Sequence, residues 1–298
     1  MRKRRESDAN QPSPNVTVLT PSFGYGRFIE DALHSVARQE GVVTEHIVQD
    51  AGSDDETVEI LRAYGAGVRW RSEPDSGQSD GLNRAFRFAR GTWIGWLNAD
   101  EFYLPGALRT VIAAGENANA DVVFGDAVFV NERGKVLRLV PQHAYSSFVL
   151  RNYGPYISSC AAIFRRSRLG DVPWDVGINR VMDWDLYLKL ASQGARFLHV
   201  DYPVGAFRVH EAQITARPAG PASPDSRAVK ERYGISGGYL ERPARLLHAG
   251  YKLISGAYRR QLAARSMRGT DLRWVRPEVG SSGFIDLLNN CYGAGDGL

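Results

Sequence analysis

Gly95-Trp96-Leu97-Asn98-Ala99-Asp100-Glu101-Phe102-Tyr103-Leu104-Pro105 decides the fold, because an apolar run ends there in an abrupt polar cluster before a proline opens the next segment. Thr92 to Leu97 is β-branched, aromatic and aliphatic, which suits a strand covered on both faces of a parallel sheet. In an extended segment Asn98 and Asp100, at i and i+2, project to the same side, and small Ala99 leaves room between them. Such a pair suits a hard divalent cation that is also held by substrate phosphates, since that cation needs only one or two protein carboxylates. The alternative is a strand-to-helix turn whose aspartate caps the next helix.

Upstream, the same grammar occurs three times. Val16 to Thr20 is a β-branched run stopped by Pro21-Ser22-Phe23-Gly24, and Phe28, Ile29, Ala32, Leu33 and Val36 then recur at helical spacing. His46 to Asp50 is a second strand, followed by Ala51-Gly52-Ser53-Asp54-Asp55-Glu56-Thr57, where Ser53 and Glu56 have capping-box spacing ahead of a helix with Val58, Ile60 and Leu61. Val68 to Arg71 is a third strand, and after Pro74-Asp75-Ser76-Gly77 a third helix places Leu82, Ala85, Phe86 and Ala89 on one face. Repeated strand-helix units predict an open, mostly parallel α/β sheet, with ligands at the carboxyl ends of its strands. The loops at 21–24, 50–55, 75–80 and 98–101 are therefore expected to converge. Neither G-x-G-x-x-G after the first strand nor a P-loop occurs, which weakens dehydrogenase and NTPase readings.

After a helix over 106–116 the pattern changes. Residues 121–125, 127–131 and 136–140 look like strands, with a turn at Glu132-Arg133-Gly134-Lys135. Ser158 to Phe164 suits another strand, Asp183 to Ala191 a helix, and residues 196–200 and 204–209 two short strands. Residues 1–14 are read as a disordered basic tail and 15–215 as the main domain. Residues 216–298 are read as a linker, Pro-, Ala- and Ser-rich at 219–226, with a basic helical extension.

Composition excludes more than it names. Two cysteines far apart, Cys160 and Cys291, suggest neither a disulfide framework nor a zinc site, and fit a reducing, cytoplasmic setting. The net charge of +4 is unevenly distributed: residues 221–298 carry twelve basic and seven acidic side chains, whereas the centre is slightly acidic. That argues against a nucleic-acid groove around the site. No run of eighteen apolar residues suits a membrane span, and Met1-Arg2-Lys3-Arg4-Arg5 is not followed by a signal-peptide core.

Taken together, Val18-Leu19-Thr20-Pro21-Ser22-Phe23, Asp50 to Asp55, Gly77-Gln78-Ser79-Asp80-Gly81-Leu82-Asn83, Gly95 to Leu104 and Met182-Asp183-Trp184-Asp185-Leu186 resemble family 2 glycosyltransferases over about residues 15 to 215. The resemblance implies the GT-A fold, a Rossmann-like central sheet flanked by helices. It also implies an inverting transfer of one sugar from a nucleotide-sugar donor to a saccharide or lipid-linked saccharide, in cell-surface polysaccharide or glycoconjugate biosynthesis, with Mg²⁺ or Mn²⁺ as cofactor. By position, it puts Pro21, Phe23 and Asp50 near the nucleoside, Asp80 and Asn83 near the donor, Asn98 and Asp100 at the metal and diphosphate, and Asp183 as general base. Phe207-Arg208-Val209-His210 matches a segment that supplies a late metal or phosphate contact, which makes His210 a candidate ligand. The chain departs from the family at Asn98, where an acidic residue is usual, at Glu101, which replaces a frequent Asp, and at Ala51, where many members have a second Asp.

Several alternatives stand beside these roles. Asp183 also suits a helix cap, and one carboxylate can do both if its oxygens divide the work. Trp96 and Trp184 suit either sugar stacking or core filling. Tyr251, Ile254, Tyr258 and Leu262 recur at helical spacing among Lys252, Arg259, Arg260, Arg265 and Arg268, as in an interfacial helix on anionic lipid or one packed on the domain. Thr270 to Trp274 is similar to the Q-x-x-R-W signature of processive members but lacks its glutamine. Competing readings are a nucleotide-sugar-binding protein without turnover, motivated by Asn98, and a sugar nucleotidyltransferase, whose Gly-rich loop with Arg is missing from Thr20 to Gly26.

Overall fold

β1 (Val16–Ser22) is buried along its whole length, as a β-branched run between two covered faces requires. It pairs in parallel with β2 (Thr44–Asp50) and with β4 (Trp93–Trp96), and β2 pairs in parallel with β3 (Arg69–Ser72). The crossovers are α1 (Gly26–Ala37), α2 (Thr57–Tyr64) and α3 (Gln78–Phe86). α1 buries Phe28, Ile29, Ala32, Leu33 and Val36, the stripe expected from spacing. The computed structural model describes residues 13–211, 213, 223–236, 238–273 and 282–293. Residues 1–12 of the expected basic tail, and residues 216–222 of the expected linker, lie outside them.

Further strands are β5 (Phe102–Tyr103), β6 (Val122–Val130), β7 (Val136–Val140), β8 (Ala162–Arg165) and β9 (Phe197–Arg208). The sheet order is β3-β2-β1-β4-β8-β6-β9-β5, with β7 beside β6. β8 runs antiparallel to both β4 and β6, while β9 is parallel to β6. Only β5, β7 and β8 are therefore reversed, and the carboxyl ends of the other strands gather on one edge.

Three expectations change. The two short strands at 121–125 and 127–131 are one strand, β6, and those at 196–200 and 204–209 are one strand, β9. Gly125 and Pro203 look like breaks in sequence, but the β6–β9 register shifts around Asp126 and keeps both strands continuous. A Cβ on Gly125 would lie 2.4 Å from the Tyr202 carbonyl, so glycine permits this close approach. The strand expected from Ser158 begins only at Ala162, because Ser159–Ala161 form a 3₁₀ turn. The Ser53/Glu56 capping box does not form: Asp55 accepts from the Thr57 amide at 3.0 Å instead, and from Gly26 N–H at 2.8 Å.

Helices α4 (Ala107–Asn117), α5 (Ser147–Asn152) and α6 (Met182–Ser192) cover the sheet, followed by α7 (Pro224–Arg232), α8 (Glu241–Ile254), α9 (Ala257–Ala263) and α10 (Ser282–Tyr292). α7 begins inside the expected linker, with Ser223 accepting from the Ser226 amide as N-cap. Gly256, at φ +72°, ends the stripe expected to run on from Tyr251, so two shorter helices replace one. The extension shares the cores of the sheet: Ala264, Met267 and Leu287 join the cluster of Val123 and Val204, and Val229 joins that of Phe164 and Leu186. Fully buried Asp126 on β6 pins it further, accepting from Arg260 Nε at 3.2 Å and the Tyr292 hydroxyl at 2.7 Å.

Candidate active site

The loops after β1, β2, β3 and β4 do converge. Pro21, Phe23, Ala51, Asp75, Gln78 and Asn98 to Glu101 line a cavity of about 470 Å³, closed on one side by Tyr25, Phe207 and Gln213. That volume falls in the range of small-molecule and cofactor sites. The loop after β2 is held to the loop after β1 by a Gly24 N–H to Ser53 Oγ bond of 2.8 Å.

The stretch from Trp96 to Glu101 is fixed by its own hydrogen bonds. Asn98 N–H donates to Glu101 Oε2 at 3.0 Å, and Glu101 N–H donates back to the Asn98 carbonyl at 3.0 Å. The Asn98 side-chain oxygen accepts from Trp96 Nε1 at 2.8 Å and from Gln78 Nε2 at 2.5 Å. Asn98 therefore lines the cavity with its oxygen already occupied, and it acts as a brace for Gln78 and the strand end. Gly95 is obligatory for packing, since a Cβ there would lie 2.4 Å from the Tyr103 hydroxyl.

Asp100 is held from two sides. His210 Nε2 lies 2.9 Å from Asp100 Oδ2, and Gln213 Nε2 donates to the same oxygen at 3.4 Å. Arg208 Nε donates to the Asp100 carbonyl at 2.8 Å, so the end of β9 grips both the backbone and the side chain of this residue. Arg208 is itself fully buried, paired with Asp31 of α1 at 2.6 Å and stacked over Phe28. Glu101 is buried beside Asp100, and both burial and that neighbouring charge push its carboxyl well above the usual range.

The cavity wall holds Asp75, Asp100 and Glu101 but, among the described residues, neither Lys nor Arg. Desolvation and the charge of Asp80 also raise Asp75. A diphosphate placed against this wall is repelled by whichever of its carboxyl groups are ionised unless a cation lies between them. Asp100 is the side chain here that could meet one: its second oxygen makes no hydrogen bond among the described residues, whereas His210 lies behind the wall, bonded to the first oxygen through Nε2, with its buried Nδ1 unpartnered. No three His, Cys, Asp or Glu side chains converge among the described residues, so phosphate oxygens and water would complete the shell.

Three residues expected near the donor lie off the cavity wall. The Asp50 carboxylate is consumed by its own loop, accepting from Ser53 N–H at 2.9 Å, Ser53 Oγ at 2.5 Å and Ser72 Oγ at 2.6 Å. Asp80 pairs with Arg84 at 2.8 Å one helical turn away. Asn83 donates to the Trp174 carbonyl at 2.7 Å and accepts from its amide at 3.1 Å, fastening the loop before α6. Conversely, Tyr25, Asp75, Gln78, Phe207 and Gln213 line the cavity. Gln78 and Phe207 stood inside quoted motifs, whereas Gln213, beyond the end of β9, carries no local signal.

Asp183 lies in a second cavity of about 280 Å³, shared with Tyr153, Tyr156, Phe207 and Lys252. Phe207 lines both cavities and so marks where they adjoin. One Asp183 oxygen accepts from Trp184 N–H at 2.8 Å, in the first turn of α6, while Val181 is the N-cap. The other oxygen makes no hydrogen bond among the described residues. Burial raises the Asp183 pKa to about 6, a value suited to a base near neutral pH. Asp185, by contrast, faces away and pairs with Arg232 at 2.8 Å. Trp184 and Trp96 are core residues, with Trp184 Nε1 donating to the Leu150 carbonyl at 2.7 Å and Trp96 packed edge-on against Trp174.

Residues 17–172 match the family described as glycosyl transferase family 2. A PGL/p-HBAD biosynthesis glycosyltransferase of Mycobacterium bovis is 27% identical over 198 residues, 63% of this chain and 75% of that one. An uncharacterized protein of Mycobacterium tuberculosis is 33% identical over 211 residues, covering 62% and 65%. Among solved structures, S. aureus TarS residues 1–349 in complex with UDP-GlcNAc superposes with a TM-score of 0.59 at 16% identity, over 93% of this chain and 81% of that one. A mannosyltransferase of Pyrobaculum calidifontis in complex with GDP-Man and Mn²⁺ superposes with a TM-score of 0.51 at 16% identity, over 95% and 88%. The family match spans more than half of the chain and the sheet order places the site at its strand ends, so this protein is a glycosyltransferase of family 2 with the GT-A fold.

Proposed function

We propose that the chain transfers a single sugar, with inversion, from a nucleoside-diphosphate sugar to a hydroxyl of a saccharide or lipid-linked saccharide. The observation that carries this is the pair of adjoining cavities: one has an acidic wall around Asp100, and the other presents the free oxygen of Asp183. Exposed Phe23 offers a face for the nucleobase, and Ala51 leaves space beside it. Asp100, oriented by His210, would hold Mg²⁺ or Mn²⁺, which when bound supplies the charge that stabilises the departing diphosphate. Asp183 takes the proton of the acceptor hydroxyl as its oxygen forms the bond to the anomeric carbon and the bond to the diphosphate breaks. Attack opposite the leaving group inverts that carbon. Because the Asn98 oxygen braces Trp96 and Gln78, its replacement of a carboxylate does not by itself argue for lost turnover.

The outer face of α8 supports work at an anionic lipid surface, such as the inner face of a membrane. Leu246, Leu253 and Ile254 are 75%, 71% and 87% exposed there, beside Arg242 and Arg245. No helix among the described residues is long and apolar enough to cross a bilayer. The relative named for PGL/p-HBAD biosynthesis supports a glycoconjugate acceptor.

Inversion is tested by proton NMR of the sugar released during slow hydrolysis of UDP-glucose, UDP-GlcNAc and GDP-mannose, all α-linked. The β anomer is expected first, before mutarotation, and EDTA is expected to abolish release. First appearance of the α anomer would contradict the mechanism.

A further inference from the structure

Lys252, in the last turn of α8, points into the cavity that holds Asp183. It is half-buried, and its ammonium makes neither a hydrogen bond nor an ion pair among the described residues. Asp183, the carboxylate in the same wall, does not pair with it. The nearest carboxylate in its electrostatic surroundings, Asp126, is already taken by Arg260, Tyr292 and the Gln142 amide. Arg138 adds a further positive charge on the same side. An unpaired, partly desolvated ammonium is unfavourable, and burial holds the Lys252 pKa below its usual value.

Beside it, His143 Nε2 and His248 Nδ1 share one proton across 2.8 Å, and Tyr153 stacks on His248 with ring centroids 4.5 Å apart. Burial pushes His248 down to about 4 and His143 below its usual value, so the pair is neutral at pH 7. Lys252 is thus the positive charge in an otherwise aromatic and neutral wall facing the base.

We infer that this cavity receives the acceptor and that Lys252 selects acceptors carrying an anionic group, a phosphate or a carboxylate, beside the hydroxyl that is glycosylated. The aromatic wall of Tyr153 and Tyr156 seats the sugar ring, and the ammonium receives the anion. A charge-assisted hydrogen bond in a partly dry site gives the anion its preference. α8 would then serve two purposes, meeting a lipid surface with its outer face and the acceptor with its inner one. This inference rests on the transferase reading of the two cavities.

The test is calorimetric titration of the full chain, with nucleoside diphosphate and Mn²⁺ present, against octyl β-glucoside, octyl β-glucuronide and glucose 1-(octyl phosphate), all below micellar concentrations. One of the two anionic probes is expected to bind roughly tenfold or more tightly than the neutral one, and which of them does so tells phosphate from carboxylate. Lys252→Met should remove that preference, Lys252→Arg should retain most of it, and neither should change nucleotide affinity. Equal binding of all three probes, no binding of either anion, or a preference that survives in Lys252→Met would overturn the inference. Absence of nucleotide binding in the wild type would instead remove the transferase reading beneath it.

Discussion

Asp183→Asn is expected to lower transfer by roughly 10² to 10⁴ while leaving nucleotide affinity unchanged. The asparagine oxygen can still accept from the Trp184 amide, so the start of α6 keeps its hydrogen bond, and what is lost is the oxygen that faces the second cavity. Steady-state kinetics paired with nucleotide titration checks this, and unchanged turnover would remove Asp183 from the mechanism. The pH profile follows from the same burial. With the Asp183 pKa raised to about 6, the carboxylate needed as base is lost as pH falls through that value, so wild-type kcat/KM should decline below pH 6. Stability runs the other way: the protonated form is favoured by folding, and its contribution is full below the usual aspartate pKa and lost as pH rises through about 6. At pH 8, Asp183→Asn should therefore melt no lower than the wild type, which separates a lost base from a damaged fold.

Arg208→Met is expected to cost about 3 to 5 kcal/mol of stability in denaturant unfolding. Arg208 is fully buried; its removal leaves the Asp31 carboxylate unpaired and frees the backbone carbonyls of Asp100 and Glu132. The Asp100 loop then loses its backbone anchor, so donor binding should weaken in parallel with stability. Adding Asp31→Leu to Arg208→Met should recover part of the loss, because the stranded charge disappears. Equal stability of single and double variants would show that the ion pair does not dominate. Lysine is no substitute, since three acceptors in different directions require the guanidinium fork.

The parallel half of the fold was legible because each strand is a β-branched or aromatic run cut by a polar loop, from Val16 to Ser22 through Trp93 to Trp96. The mixed half was not. Gly125 and Pro203 imitate strand ends, and only the pairing of β6 with β9 shows that a local register shift absorbs them. Of the candidate residues, Asp100 and Asp183, which line the two cavities, came from motifs whose spacing survives in one dimension. Asp50 shows the limit of that method: its motif is present, but bonds to Ser53 and Ser72 consume its oxygens, and Ala51 takes the wall position instead. Gln213 and Lys252 reach the cavities from beyond β9 and from α8, more than a hundred residues from the β1 and β2 loops. Nothing local announces such residues, because long-range packing alone brings them in.

The central claim is that the acidic cavity binds a nucleoside diphosphate through a divalent cation. It is tested most directly by thermal denaturation of the full chain with UDP, GDP, dTDP and CMP, each with and without Mn²⁺ or Mg²⁺. A ligand at about a hundred times its dissociation constant stabilises by roughly 2.7 kcal/mol, a readily measured shift. One nucleoside diphosphate is predicted to raise the melting temperature only when metal is present, and Asp100→Ala should abolish that rise. A folded sample that shifts with none of them, or equally well without metal, would contradict the account.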